Sequence, residues 1–348
     1  MRDEPANSGG DSLLAGHVKI GVALCALAGI GAGTALVLYF GLEQVGTAFL
    51  TAGWKGLAAM TGVYLVSVVL CSLAWRFLFV APIRSATLLC HWARLLRDSV
   101  ANILAVVPAA GEIAAARELA IFGVRPGAAV ATTVVDFTME IVSLILFALL
   151  GLILLALERP GEGVGWWALG GIAVSTVAIA GFIAAQRGGL FSLLQSFSDR
   201  LGLTAAWSAD DQSQSIHAAI QDIYRDPRRP IASAAVHLVA WIVGSGEAWL
   251  ALSFMGHPLG IGDVVVIESF LLSLRMALFV PWAAGVQEGG YVMLGALYGL
   301  GPDVALGLSL LKRARELVTG VPCLLIWQAL ETRRLWRGSR GKPGATRN

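Results

Sequence analysis

The sequence predicts an all-α, polytopic membrane protein with about six transmembrane helices and two re-entrant helical hairpins that form an inverted repeat. Three observations support this prediction: a composition that is 57% hydrophobic and only 14% charged, a series of long apolar runs, and two apolar segments interrupted by proline and glycine. A soluble domain carries roughly 25% charged residues. The 348-residue chain, with a mean hydropathy of +0.74, therefore needs an apolar solvent around most of its surface.

Several apolar runs are long enough to cross a bilayer, which requires about 20 residues in helical conformation. Helices are required because hydrocarbon offers no hydrogen-bond partner to the unpaired backbone of an open sheet edge. The runs cover residues 17–40, 57–80, 127–157, 164–185, 231–255 and 303–330. They predict a single membrane domain over residues 17–330, a disordered cytoplasmic N-terminus at 1–16 and a basic cytoplasmic tail at 331–348.

Lysine and arginine are distributed unevenly between the connecting segments, and this predicts the orientation of the chain. Segments 41–56 and 158–163 each carry one basic residue, whereas 81–97 carries three and 186–230 carries five. Basic loops of membrane proteins remain in the cytoplasm. We therefore expect a bacterial inner-membrane protein with 81–97, the loop 186–230 and both termini on the cytoplasmic side. Within 186–230 we expect an interfacial helix.

Two apolar segments, 98–123 and 263–300, are too interrupted to cross the membrane, and we interpret them as re-entrant hairpins. Their breaks are at Pro108 and Gly111 in the first and at Pro281 and Gly285 in the second. One constant difference in residue number, which we call the repeat offset, aligns Glu112 with Glu288, Gly123 with Gly299, Pro126 with Pro302, Ala129 with Ala305 and Glu140 with Glu316. The repeat units cover about 98–157 and 263–330, and we expect them to enter from opposite faces. Inverted repeats of this kind place a binding site near the bilayer midplane.

Ionisable residues lie near the middle of two predicted spans. Asp136 and Glu140 are one helical turn apart, and Lys312 and Glu316 occupy the equivalent positions of the second repeat unit. A charge at the centre of a span costs at least about 2.5–3.5 kcal/mol by insertion scales. We therefore expect these side chains to face the protein interior or water, and to be paired.

Two interpretations of these charges remain open. In the first they form a structural ion-pair core, in which Lys312 pairs with Glu316 and Arg313 pairs with Asp136 or Glu140. In the second they line a polar cavity that receives the headgroup of an amphiphile or relays protons. The predicted substrate-binding residues are then Glu112, Arg117, Asp136, Glu140, Glu288, Lys312, Arg313 and Glu316, with Glu268 and Arg275 near the rim of the cavity.

Other classes of function find little support in the sequence. A net charge of +2 without a basic stripe argues against nucleic-acid binding. The four cysteines and five histidines are dispersed, without metal-ligand spacing, so neither a metal nor another cofactor is expected. The motifs of Walker NTPases, zinc proteases and serine hydrolases are missing from the chain, which argues against an enzyme.

Two stretches around the aligned glutamates, 104–123 and 278–327, resemble the lysylphosphatidylglycerol synthase transmembrane-domain family, also called flippase-like membrane proteins. The second stretch is especially similar to members associated with hopanoid biosynthesis. The resemblance implies a lipid-handling fold with two re-entrant elements and movement of lipid between leaflets. It also implies functional positions at the residues that match the family motifs, which are Gly111, Glu112, Gly285, Glu288 and Arg313. Arg117 departs from the family pattern, which has an arginine two or three residues after the first glutamate.

The sequence therefore predicts a flippase-like transporter of an amphiphilic lipid, such as a hopanoid or a phospholipid, with a binding site at the midplane. One alternative is a non-transporting scaffold that recruits soluble lipid-biosynthesis enzymes through 186–230. A less favoured alternative is a membrane-embedded enzyme that modifies a lipid. The expected partner is a membrane lipid, joined in the scaffold interpretation by lipid-biosynthesis enzymes.

Overall fold

The computed structural model describes residues 42–81, 83, 86–104, 109–158, 209–278 and 285–340. Helices make up nearly all of this part of the chain, which has no strand, so the all-α prediction is confirmed. The predicted spans 17–40 and 164–185 lie outside the described residues, as do the N-terminal segment 1–16 and the prolines at the two breaks.

Nine α-helices are present in the described ranges. Their bounds are α1 Leu42–Arg76, α2 Ala86–Ser99, α3 Ala110–Ile121, α4 Pro126–Glu158, α5 Ala209–Arg225, α6 Arg228–Phe254, α7 Ile261–Leu278, α8 Val286–Ala296 and α9 Pro302–Arg340. A short π-helical turn, Val100–Leu104, continues α2. Helix α5 lies within the segment in which an interfacial helix was expected.

Among the described residues, three helices are long and apolar enough to cross a membrane: Leu50–Arg76, Pro126–Glu158 and Arg228–Phe254. They overlap three of the predicted spans, 57–80, 127–157 and 231–255. Helix α9 covers the predicted span 303–330 but carries several charges near its middle, so it does not meet the same criterion. It presents an apolar face to the surroundings, on which Leu317, Val321 and Leu325 are exposed.

Two predicted connecting segments are wrong. Residues 42–56, expected in a loop, belong to α1, which is interrupted by the left-handed conformation of Gly53 (φ 58°). Residues 86–97, expected in a cytoplasmic loop, belong to α2, because one face of this segment is apolar and packs in the core through Cys90, Ala93 and Leu96. The first hairpin is therefore longer than 98–123. The predicted tail also begins inside a helix, since α9 continues to Arg340.

The two hairpins share backbone features at positions related by the repeat offset. Ala109 (φ 63°) immediately precedes α3, and Gly285 (φ 78°) immediately precedes α8. Gly123 (φ 97°) and Gly299 (φ 77°) lie in the turns that lead into α4 and α9. A positive φ is uncommon outside glycine, so its occurrence at Ala109 shows that the local fold imposes this conformation.

The two hairpins also open towards opposite ends of the helix bundle. At one end, which we call the Arg229 end, Arg229 donates to the backbone oxygen of Phe79 (2.7 Å), so that α1 finishes beside the start of α6. At the other end, the Glu158 end, the Tyr298 hydroxyl donates to the Glu158 carboxylate (3.2 Å). Hairpin α2–α3 begins and finishes at the Arg229 end, and hairpin α7–α8 at the Glu158 end.

Two clusters of the apolar core each lie mainly in one half of the chain. One cluster joins α2, α3, α4 and α5 to α1 and includes Trp75, Leu119 and Ile220. The other joins α7, α8 and α9 to α1 and α6 and includes Leu271 and Leu308. Helices α1 and α6 contribute to both clusters, and α4 also packs directly against α7 through Leu144, Phe147 and Val265.

Candidate functional site

The centre of the first polar cluster is Arg97, which α2 directs into the protein interior. Its guanidinium donates to Glu140 (2.5 Å) and Asp136 (3.0 Å) on α4 and to Glu112 (3.2 Å) at the start of α3. Arg97, Asp136 and Glu140 are buried, whereas the Glu112 side chain is 24% exposed. The side chain thus joins the two arms of the first hairpin to α4.

A second arginine completes the pairing of Glu140. Arg94 lies one turn before Arg97 and donates to both oxygens of Glu140, at 2.7 and 3.0 Å. This two-point geometry is the strongest form of a guanidinium–carboxylate contact. On the other side of the cluster, Nε2 of the fully buried His237 on α6 lies 3.0 Å from Asp136. We call Arg94, Arg97, Glu112, Asp136, Glu140 and His237 the α4 cluster.

A chain of polar contacts leads from the α4 cluster towards α9. Arg94 also contacts Asp98 (3.1 Å), which accepts a hydrogen bond from the Tyr64 hydroxyl on α1 (3.3 Å). The Arg315 guanidinium lies over the Tyr64 ring at 4.1 Å and donates to Glu247 on α6 (2.8 Å). Charged and polar groups therefore extend from the first half of the chain to the second within the protein interior.

The second polar cluster lies between α7, α8 and α9. Lys312 donates to Glu268 (2.7 Å), and the Tyr291 hydroxyl donates to the other oxygen of the same carboxylate (2.5 Å). All three side chains are buried. Because the carboxylate has a cation on one oxygen and a hydroxyl on the other, the cost of burying its charge is largely offset.

The second cluster has a partly exposed side, where Arg313 on α9 approaches Glu288 at the start of α8. Glu288 accepts from the backbone N–H of Gly285 (2.8 Å), which caps the helix, and from the Ser309 hydroxyl (3.2 Å). Arg313 approaches both Glu288 (3.5 Å) and Glu316 (3.4 Å). The Arg313 side chain is 23% exposed. We call Glu268, Arg275, Glu288, Tyr291, Lys312, Arg313 and Glu316 the α9 cluster, to which Arg275 belongs through its approach to Glu316 (3.9 Å).

The ion-pair partners expected for the ionic core are wrong, although the ion pairing itself is observed. Lys312 pairs with Glu268 rather than Glu316. Arg313 contacts Glu288 and Glu316 on its own half of the chain. Asp136 and Glu140 are instead neutralised by the arginines of α2. The physical reason is that Arg94 and Arg97 lie on the buried face of α2, which places their guanidinium groups beside the α4 carboxylates.

Arg117 is the one predicted site residue that the structure places apart from both clusters. Its side chain is 49% exposed and pairs with Glu331 on the C-terminal part of α9. Hydrogen bonds from Arg117 and Arg334 lower the pKa of Glu331. Beside this pair, the fully buried Glu118 accepts hydrogen bonds from Arg334, Trp92 and Trp327. These residues join α3 to α9 and are separate from the α4 cluster.

The sequence interpretation missed the arginines of α2 and His237. The sequence predicts a cytoplasmic loop at Arg94 and Arg97, although the apolar residues between Ala86 and Ser99 recur with helical spacing. The separation of Arg94 and Asp98 by four residues was a further signal for a helix. His237 carries no local signal, because a single histidine in an apolar run is compatible with many environments.

Within the described ranges, no group of three or more metal-ligating side chains is positioned to hold a metal ion. The chemical capacity of the two clusters is instead that of opposed charges: guanidinium and ammonium groups that bind phosphate or carboxylate, and carboxylates that bind hydroxyl or ammonium groups.

Comparison with known proteins identifies the family. The family described as "Lysylphosphatidylglycerol synthase TM region" matches residues 20–323, which includes both hairpins and both clusters. Neither the curated proteins nor the solved structures contain a match to the chain. The family match covers most of the 348 residues and agrees with an all-helical fold that contains membrane-spanning helices. The chain therefore belongs to the lysylphosphatidylglycerol synthase transmembrane-region family.

Proposed function

We propose that the protein moves an amphiphilic lipid between the leaflets of a bacterial inner membrane, with the headgroup passing along the α4 and α9 clusters. Membership of the family supports the general role in membrane lipid handling. The observation that carries the proposal is the depth and continuity of the polar groups. Charges this deep are costly, and in membrane proteins they are typical of substrate or ion pathways.

Three charged side chains provide the points at which a headgroup can enter. Glu112, Arg275 and Arg313 are 22–24% exposed, whereas their charged partners further inside are almost fully buried. Two of the three are arginines, whose planar guanidinium suits a phosphate group. A headgroup bound there exchanges water for fixed charges, while the acyl or polycyclic part of the lipid stays in the bilayer.

We further propose that the two hairpins are inverted repeat units. The repeat offset relates Ala109 to Gly285 and Gly123 to Gly299, and all four have positive φ. The hairpins open towards opposite ends of the bundle, as the Arg229–Phe79 and Tyr298–Glu158 contacts indicate. In transporters with inverted repeats, rocking of one unit against the other exposes the midplane site to each side in turn.

In the proposed orientation the Arg229 end and both termini face the cytoplasm. The α5–α6 junction carries Arg225, Arg228 and Arg229, and the C-terminal segment after Glu331 is rich in arginine. Arg94 and Arg97 are paired inside the protein and so do not contribute to this asymmetry.

The clustered side chains are suited to binding rather than to chemistry. Glu140 and Asp136 both accept hydrogen bonds from guanidinium groups, so they are poorly suited to take a proton from a substrate as general bases. We therefore propose a transporter rather than an enzyme. Hopanoids and phospholipids are the substrate classes to test first.

The test is transbilayer exchange of a lipid reporter in liposomes that contain the purified protein. Wild type should equilibrate a phosphatidylglycerol or hopanoid reporter placed in one leaflet faster than protein-free vesicles. Arg313→Gln removes a charge-assisted contact worth about 1.5–3 kcal/mol and should slow exchange roughly ten- to hundredfold. The matched control is Arg225→Gln, whose native side chain is 79% exposed on α5, and this variant should exchange lipid like wild type.

Failure of every reporter to move faster than in protein-free vesicles would contradict the transport proposal. If deletion of the gene then mislocalises a soluble lipid-biosynthesis enzyme, the scaffold function replaces it.

A further inference from the structure

We propose that His237 and Asp136 form a proton-binding site that couples lipid movement to a transmembrane pH gradient. This inference rests on the proposed lipid transport and adds the coupling ion. Three observations carry it: the geometry of the pair, the charge balance of the α4 cluster, and the contrast with the equivalent position in the second repeat unit.

The geometry leaves one nitrogen of His237 available for a proton. Nε2 lies 3.0 Å from Oδ1 of Asp136, and Oδ2 of the same carboxylate accepts from Arg97 (3.0 Å). Nδ1 is buried and makes no hydrogen bond of normal geometry within the part of the chain that the structure describes; besides Asp136, the thiol of Cys71 interacts with the ring. If Nε2 carries the hydrogen that bonds to Asp136, the neutral ring keeps a lone pair on Nδ1. Proton uptake there converts a neutral imidazole to an imidazolium beside a carboxylate.

The surrounding charges favour that proton. The charged and titratable groups around the pair come from every neighbouring element: Cys71 and Arg76 from α1, Cys90, Arg94, Arg97 and Asp98 from α2, Glu112 from α3 and Glu140 from α4. Three guanidinium groups, those of Arg76, Arg94 and Arg97, thus stand against four carboxylates, those of Glu112, Asp136 and Glu140 within the α4 cluster and of Asp98 beside it. An excess of negative charge stabilises a nearby cation, and the imidazole of His237 is the group of the cluster that can exist in either a neutral or a protonated form.

The second repeat unit lacks this feature. At the position that the repeat offset relates to Asp136, the second unit has Lys312, which pairs with Glu268 (2.7 Å). The cations of this half are Arg275, Lys312, Arg313 and Arg315, and their partners are Glu247, Glu268, Glu288 and Glu316, so the described charges balance without a proton. Proton binding is therefore assigned to the α4 cluster alone.

Arg97 provides the link between proton and lipid. It is shared between Asp136 inside the protein and Glu112, the most exposed member of the cluster. A headgroup phosphate bound near Glu112 attracts Arg97 away from Asp136. Asp136 then depends more strongly on protonated His237, so lipid and proton favour each other's binding. Such a coupling is reciprocal by thermodynamic necessity.

The experiment measures the steady-state distribution of a fluorescent phosphatidylglycerol in proteoliposomes. The vesicles hold a pH difference of about one unit, and potassium with valinomycin keeps the membrane potential at zero. One unit of pH corresponds to about 1.4 kcal/mol, so movement of one proton per lipid allows a leaflet ratio of up to about tenfold. A protonophore should return the ratio to one. Protein-free vesicles correct for redistribution of the lipid by itself.

Two variants locate the site. His237→Gln keeps an N–H group that can reach Asp136 but cannot bind a proton, and Asp136→Asn removes the charge that stabilises it; both should give a leaflet ratio close to one under the gradient. The matched control His217→Gln, on α5, should keep the wild-type ratio. If His237→Gln does not fold, the gradient response of wild type and of Asp136→Asn decides the question.

Each outcome separates the two proposals. A wild-type protein that moves lipid but leaves the leaflets equal under the gradient overturns proton coupling and leaves transport intact. A wild-type ratio in His237→Gln or Asp136→Asn overturns the assignment of the site. A wild-type protein that moves no lipid contradicts the transport proposal itself.

Discussion

At the scale of single residues, Glu140 is paired with both arginines of the α4 cluster, which no pattern in the sequence predicts. It accepts hydrogen bonds from both Arg94 and Arg97, and all three side chains are buried. Burying three charges is tolerable here because each has a partner at hydrogen-bonding distance. The same arrangement makes the removal of one charge expensive.

We expect Glu140→Gln to destabilise the protein by about 3–5 kcal/mol, because two buried guanidinium groups lose a shared counter-charge. Thermal unfolding of the purified protein in detergent measures the effect. The control Asp222→Asn breaks a surface pair with Arg225 on α5 and should change stability by at most about 1 kcal/mol. Equal unfolding temperatures for the two variants would contradict the buried pairing.

Sequence reasoning reached the charges at this scale but not their partners. The positions of Asp136, Glu140, Lys312 and Glu316 within apolar runs predict side chains that face the protein interior or water and are paired; in the structure all four are buried. The identity of a partner depends on which helix packs beside which. The packing of helices depends on contacts between residues far apart in the sequence, and the spacing of residues along the chain does not predict these contacts.

At the scale of helices, the close packing of α2 and α3 positions Arg97. Gly111 of α3 faces the backbone of α2, and a Cβ there would lie 2.5 Å from the carbonyl oxygen of Arg97. A backbone oxygen cannot turn aside as a side chain can. The glycine is therefore required for the approach that brings Arg97 within reach of Glu112.

We expect Gly111→Ala to cost about 1–3 kcal/mol through overpacking, and to slow lipid exchange because α2 and α3 must separate. Unfolding temperature and the liposome assay measure the two effects. Gly62→Ala is the matched control, since a Cβ at Gly62 in α1 meets nothing within 4 Å. That change should leave stability equal or raise it by up to about 1 kcal/mol. A Gly111→Ala protein with unchanged stability would show that the contact is not tight.

The prediction of helices succeeded where apolar residues dominate and failed where charged residues are interspersed. Helices α4 and α6 follow long apolar runs and match the predicted spans closely. Helix α2 carries Arg94, Arg97 and Asp98, so its composition resembles that of a loop. The charged residues of α2 find their partners on other helices of the protein. The local sequence therefore does not reveal that one face of α2 is buried.

At the scale of the whole molecule, the opposite directions of the two hairpins give a prediction about topology. In a cysteine-free background, Gln221→Cys on α5 should be protected from an impermeant thiol reagent in intact cells, because it lies towards the proposed cytoplasmic end. His257→Cys, just after α6, should react. Both native side chains are exposed, so accessibility alone does not distinguish them. The reverse labelling pattern would invert the proposed orientation.

The central claim is that a lipid headgroup occupies the polar groups between the two hairpins, and photo-crosslinking tests it most directly. A phospholipid with a photoreactive headgroup is incorporated with the protein into vesicles and irradiated, and the labelled peptides are identified by mass spectrometry. We predict labels at the starts of α3 and α8, near Glu112 and Glu288, and on α9 near Arg313, with reduced labelling in Arg313→Gln. Labels confined to the exposed apolar face of α9, around Leu317 and Leu325, would contradict the account.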